Sequence, residues 1–266
     1  MTGWDFAALG TRLVADDPPW DFETTCAEAM AASTACLDMG TGGGERLSDL
    51  VRRVDSARRV GTGAGSAAAG SAGVGGAGAG SAAAGGAGRK RTVHASEGWR
   101  PNLDLATSAL EEYGIDVREY DSETGEAMPW TDGFFDLVMN RHESYDPAEL
   151  ARVLIPNGRF LTQQVDGTEA GEFRQWFRGE PQTPDIRLEP CIDALESQGF
   201  TIAGADEWIG TMEFADVEAV IEYLAYIPWD VPDFTVADNL DTLDLLWECN
   251  SPISVTQKRF FIAAEL

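Results

Sequence analysis

The sequence predicts an α/β protein built on a doubly wound, mainly parallel sheet, and three observations predict it. Segments of strand character alternate with segments of helical period along most of the chain. One of those strands, Phe134 to Met139, is almost wholly apolar, as a strand covered on both faces must be. The strand ending at Asp38 runs into the glycine loop Gly40 to Gly44 and then into a helix. In a doubly wound sheet that arrangement places a ligand beyond the carboxyl ends of the strands.

Each element has its own signal. Residues 20 to 31 read as a helical lead-in, with Phe22, Cys26 and Met30 at i, i+4 spacing. Thr34 to Asp38 is a short strand. The helix after the glycine loop carries Leu47, Leu50 and Val51 on one face. Arg91 to Ser96 is a second strand, and Leu103 to Tyr113 an amphipathic helix stopped by Gly114. Asp116 to Tyr120 and Phe134 to Met139 are the third and fourth strands, and Pro147 to Leu154 is a helix. Pro156-Asn157-Gly158 makes a turn into a fifth strand, Arg159 to Val165. Glu189 to Gln198 is a helix ended by Gly199, Phe200 to Trp208 a sixth strand, and Asp216 to Tyr226 and Leu240 to Glu248 are further helices. Arg259 to Glu265 closes a seven-stranded sheet. The whole chain, 1–266, reads as a single domain. Residues 61–88 contain only Gly, Ala, Ser, Thr and Val and are expected to form a flexible insert, because they offer too little apolar surface to offset chain entropy.

Charge narrows the function classes. Asp and Glu number 45 against 19 Lys and Arg, a formal net charge of -26, and only Lys90 and Lys258 are lysine. Such a surface repels itself at low salt and disfavours non-specific nucleic-acid binding. Carboxylate-rich, lysine-poor composition resembles that of haloarchaeal proteins; an acidic mesophilic protein is the alternative. The basic residues around the insert (Arg52, Arg53, Arg58, Arg59, Arg89, Lys90 and Arg91) form the one basic cluster. They read either as a loop base neutralised by nearby acids or as a contact for RNA. The four cysteines are scattered, with no C-x-x-C pair and only two histidines, so no metal site is expected from spacing. No apolar run reaches the roughly 18 to 20 residues of a membrane span, and the N-terminus lacks a secretory pattern. The expected location is cytoplasmic, with no membrane partner; the oligomeric state is left open.

The informative motif is Leu37-Asp38-Met39-Gly40-Thr41-Gly42-Gly43-Gly44-Glu45. A dinucleotide loop would want a small residue where Glu45 stands, and a carboxylate at a helix N-terminus opposes pyrophosphate there. That disfavours a nicotinamide oxidoreductase. The D-x-G-x-G-x-G pattern instead resembles motif I of class I S-adenosylmethionine-dependent methyltransferases, and the likeness extends in order from about Cys36 to Leu266. Glu97 follows the second strand where that family holds the ribose hydroxyls, once the insert is discounted from the spacing. Asp121-Ser122 follows the third strand, where an acid meets the adenine. Met128-Pro129-Trp130-Thr131-Asp132-Gly133-Phe134-Phe135-Asp136 resembles the family's lead into the fourth strand, and Asn140 ends that strand. The Pro156-Asn157-Gly158 turn resembles the family's Pro-Gly-Gly.

The resemblance implies a Rossmann-like fold and S-adenosyl-L-methionine as cofactor. It assigns cofactor contacts to Asp38, Gly40, Thr41, Gly42, Gly44, Glu97, Asp121 and Asn140. Plain structural roles also fit: Asp38 as a helix cap, Glu97 and Asp121 as surface acids, Asn140 closing a turn. The segment after the fourth strand, Arg141-His142-Glu143-Ser144-Tyr145, is where the family meets substrate. His142 is the candidate general base, with Glu143 and Tyr145 to orient it or bind substrate; pinning the loop is the alternative. Trp4 and Trp20 in the lead-in, and Trp229 after the Val217 to Tyr226 helix, are candidate lid residues or core packing. The implied activity is methyl transfer to an oxygen or nitrogen of a small molecule. The alternatives are an RNA methyltransferase and a cofactor-binding regulator without turnover.

Overall fold

The structure, a computed structural model, describes residues 6–64, 91–180, 183–249 and 252–266. Its strands are β1 (Leu13–Ala15), β2 (Ala35–Met39), β3 (Thr92–Glu97), β4 (Asp116–Glu119), β5 (Phe135–Arg141), β6 (Leu154–Val165), β7 (Thr201–Phe214) and β8 (Ile253–Glu265). The α-helices are α1 (Phe22–Ala32), α2 (Glu45–Ala64), α3 (Arg100–Leu110), α4 (Pro147–Val153), α5 (Gly171–Phe177), α6 (Leu188–Ser197), α7 (Val217–Tyr226) and α8 (Leu240–Glu248). They form one eight-stranded sheet in the order β1-β7-β8-β6-β5-β2-β3-β4. The pairs β3/β4, β2/β3, β2/β5 and β5/β6 are parallel. β8 is antiparallel to both β6 and β7, and β1 is antiparallel to β7.

The doubly wound reading therefore holds, while the seven-strand count is corrected to eight. The added strand, β1, is three residues long and pairs with Met212–Phe214 at the sheet edge. So short a segment carries no readable period, and only the exposed edge of β7 makes it a strand. The helical lead-in read over residues 20 to 31 is present as α1, and further elements precede it. Residues 6–12 are 3-10 turns kinked at Gly10, β1 follows, and the regular helix begins at Phe22, capped by the Asp21 side chain on the Thr24 amide at 2.8 Å. Of the predicted insert, residues 61–64 continue α2; 65–88 lie outside the described residues, as do Trp4, Arg89 and Lys90.

The chain winds from β2 outward to β4 and then returns to β5 and β6 on the other side of β2. The reversal between β2 and β5 opens a crevice at their carboxyl ends, where such sheets take ligands. Helices cover both faces. On one, Cys36, Leu137 and Leu161 pack with Met30 of α1, Leu47 of α2 and Ala106 of α3. On the other, Leu37, Val138 and Phe160 pack with Leu150 and Val153 of α4 and Leu195 of α6. A third cluster joins Phe214 and Val255 to Phe173, Val220 and Leu243 of α5, α7 and α8. Burying each of these aliphatic or aromatic side chains contributes about 1.5–3 kcal/mol before chain entropy is counted. Asp136 ties the start of β2 to β5 by accepting from the Thr34 amide at 2.7 Å and the Ala35 amide at 3.0 Å. Among the described residues, no helix is long and apolar enough to cross a membrane.

Candidate active site

The glycine loop is fixed from below by β3. The Thr41 amide donates to the Ser96 carbonyl at 2.9 Å, and the Gly42 amide to Glu97 Oε2 at 2.7 Å. The other Glu97 oxygen accepts from the Trp99 amide at 2.9 Å, so this buried carboxylate is locked between the loop and the start of α3. Gly40 is required twice over. Its φ is +63°, and a Cβ there would stand 2.6 Å from Cβ of Glu143. Glu143 thus lies directly against the loop. At the head of α2, the Glu45 carboxylate lies close over Gly43, where its charge would oppose a phosphate.

Asp38, Glu97, Asp121 and Glu143 come together at this edge, where Glu97 makes ionisation of Asp38 harder, and Glu97 and Asp121 do the same to Glu143. Asp38 is pushed up to about 6 by desolvation, with Glu97 adding to the rise and Arg46 opposing it. The Thr41 hydroxyl, near enough to Asp38 to oppose the rise as well, forms no hydrogen bond of good geometry. Glu97 is raised by burial, against its backbone amide bonds. Glu143 is pushed up to about 7 by burial, then by Glu97, Asp121 and Glu123. Asp121 caps the 3-10 turn 122–124 through the Glu123 amide and packs on Gly98. Ser122 and Ser144 hydrogen-bond to one another across the crevice. Asn140 is fully buried: its amide oxygen accepts from Gln164 at 2.8 Å and Thr162 at 3.2 Å, and its amide nitrogen has no partner.

The α1 side of the crevice carries arginines, each paired with a carboxylate. Arg141 and Arg46 both pair with Glu23, at 3.1 and 2.7 Å, and Arg259 pairs with Glu169. A cleft of about 370 Å³ opens here, lined by Asp17, Trp20, Phe22, Glu23, Arg141 and Gln163 among others. Trp20 Nε1 donates to Gln163 Oε1 at 2.7 Å. A larger apolar groove, about 450 Å³, lies between α7 and residues 228–236 and includes none of the motif residues.

The residues singled out after the fourth strand are divided by the structure. β5 runs two residues further than the sequence suggested, through Asn140 and Arg141, so the loop begins at His142, which adopts φ +61°. His142 is an exposed residue, yet desolvation by the protein around it and the Arg259, Arg141 and Arg46 guanidiniums lower its pKa well below the usual 6.5. Tyr145 is not brought to His142. Its ring packs edge-on against Phe160, 4.9 Å between centroids, in the cluster under α4 and α6. Burial raises its phenol far above the ordinary range. The alternating faces of a strand explain this: Phe160 and Gln163 of β6 point to opposite sides of the sheet. Gln163, Arg259 and Arg46 were missed in the sequence. Glutamine in an apolar strand was the available signal for the first; the others needed the fold.

No family model matches the sequence, and no curated protein matches it. Solved structures do match. A functionally unknown protein from Deinococcus radiodurans aligns with a TM-score of 0.56 at 15% identity, over 95% of this chain and 90% of that one. A Bacillus halodurans protein proposed to be a methyltransferase gives 0.53 at 16%, over 91% and 96%. The YcgJ protein of Bacillus subtilis gives 0.51 at 14%, over 92% and 97%. The chain therefore has a Rossmann-like α/β fold, the one carried by that Bacillus halodurans protein.

Proposed function

We propose that this protein is an S-adenosylmethionine-dependent methyltransferase acting on an oxygen or nitrogen of a small molecule. The observation that carries the reading is the convergence of Asp38, Glu97, Asp121 and Glu143 on a glycine loop whose helix start is already occupied by Glu45. Such a site repels phosphate and calls for a ligand with positive charge. S-adenosylmethionine supplies an ammonium, a sulfonium whose methyl is transferable, and hydroxyls and an adenine amine that carboxylates bind. The resemblance assigns these residues to it: Asp38 would hold the ammonium, Glu97 the ribose hydroxyls and Asp121 the adenine amine. The Asn140 amide nitrogen is a buried donor with no partner among the described residues.

The chain's own part in the reaction is alignment and exclusion of water. Gly40 lets the backbone come close to the ligand, the carboxylates fix its charge, and Trp20 and Phe22 wall the adjoining cleft. The size of that cleft favours a small acceptor. Of the basic cluster around the insert, two described members, Arg91 and Arg52, are already paired with acids. Arg91 precedes the amino end of β3, opposite the glycine loop, and pairs with Asp55 at 2.6 Å, while Arg52 pairs with Asp49.

Calorimetric titration of S-adenosylmethionine and NAD at molar KCl tests the reading. Saturable binding of the first alone, lost in Asp38→Ala, is expected. Failure to bind by folded protein, or preference for NAD, overturns it.

A further inference from the structure

The indole N–H of Trp20 can only donate, so it fixes which end of the Gln163 amide it meets: Oε1, at 2.7 Å. The Gln163 amide nitrogen then faces His142 Nε2 at 3.3 Å. That nitrogen too can only donate, so Nε2 must accept. In a neutral imidazole the proton is therefore on Nδ1, and among the described residues no acceptor meets it. We infer that His142 is a hydrogen-bond donor rather than the general base: the Trp20–Gln163 pair holds its Nδ1–H ready for a carboxylate oxygen of the bound ligands.

The surroundings favour that ligand chemistry. In a protein of net charge -26, the charged groups acting on His142 are three guanidiniums, those of Arg259, Arg141 and Arg46. The carboxylates of the site act instead on one another around the glycine loop. Each of those guanidiniums has a carboxylate partner, Glu23 for Arg141 and Arg46 and Glu169 for Arg259, so the His142 side offers hydrogen-bond donors flanked by paired guanidiniums, whereas the glycine-loop side offers clustered carboxylates. The inference rests on the methyltransferase reading for its ligand, and two carboxylates could fill the place: that of the cofactor's methionine tail, or one on the acceptor lying in the Trp20 cleft.

The tautomer can be measured without any ligand. Long-range proton–nitrogen NMR of histidine-labelled protein has two signals to assign, His94 and His142. A proton on Nδ1 of His142 at pH 7 is the expected result; a proton on Nε2, or on both nitrogens, overturns the inference. The ligand is tested with S-adenosylhomocysteine and 5′-methylthioadenosine, which lacks the amino-acid tail, on wild type, His142→Gly and His142→Asn. Glycine accepts the left-handed backbone and removes the ring. Asparagine also accepts it and places an amide N–H where Nδ1 stood.

If the carboxylate is the cofactor's, the glycine variant loses about tenfold in affinity for S-adenosylhomocysteine alone, and asparagine restores it. If it is the acceptor's, that affinity is unchanged. Benzoate, but not benzamide, then shifts the His142 resonances of the S-adenosylhomocysteine complex, and asparagine retains benzoate binding that glycine loses. An asparagine variant no better than glycine, or no response to either carboxylate, overturns the inference. Absence of binding by both nucleosides to wild type would instead remove the proposed function and, with it, the ligand assigned here, leaving the tautomer result standing by itself.

Discussion

Glu143 shows how one side chain can cost stability and serve binding. Its carboxyl is pushed up to about 7 from 4.5 by burial and by the acids around it. Between those two pH values the folded chain holds a proton that the unfolded chain has released, so stability falls as pH rises; the penalty is absent below about 4.5 and complete above about 7. Glu143→Gln should therefore stabilise the ligand-free protein at pH 8, by on the order of 1–3 kcal/mol, read as a higher melting temperature, with little change at pH 4. A cation bound beside Glu143 and Asp38 favours their ionised forms. S-adenosylmethionine binding should then release protons near pH 6.5 and tighten as pH rises through 7. Calorimetry in buffers of differing ionisation heat reads this directly; uptake of protons would contradict it. His142 and Glu143 were legible as candidates because they follow a buried strand. Their roles were not, since a pKa depends on neighbours that sequence does not place.

The loop between β2 and α2 is the element on which the site depends. Gly40 combines φ +63° with the approach of Glu143, so Gly40→Ala meets two costs at once. Left-handed backbone costs an L-residue about 1–2 kcal/mol, and the added methyl must displace Glu143. The expected result is at least about a tenfold loss of S-adenosylmethionine affinity with circular dichroism unchanged; full affinity would mean that the loop lies apart from the ligand. The glycines, the strand before them and the helix after them were all readable, because local backbone preference and period dictate them. β1 was not, since three residues become a strand only when the edge of β7 offers them hydrogen bonds. Nor was the extension of β5 through Arg141, where polar residues replace the apolar run yet the ladder to β6 continues to Gln163.

At the scale of the whole molecule the acidic surface dominates. With 45 acidic and 19 basic residues, self-repulsion opposes folding at low ionic strength, and molar salt shortens the screening length to about 3 Å. The melting temperature should rise steadily from 0.1 to 2 M KCl; a flat or falling curve would remove the salt-adapted reading of the composition.

What the sequence determined by itself is what local rules govern: the alternation of strands and helices, the doubly wound class, the glycine loop with its acid two residues ahead, and the charge. These follow from backbone preference, period and composition, all of which act within a few residues. The tertiary structure alone decided which acids meet around the loop, which arginines face them, and that His142 and Tyr145 part to opposite sides of the sheet. Those are contacts between strands distant in the chain, and their geometry is set by register and by the alternating faces of β5 and β6, which exist only once the sheet is assembled.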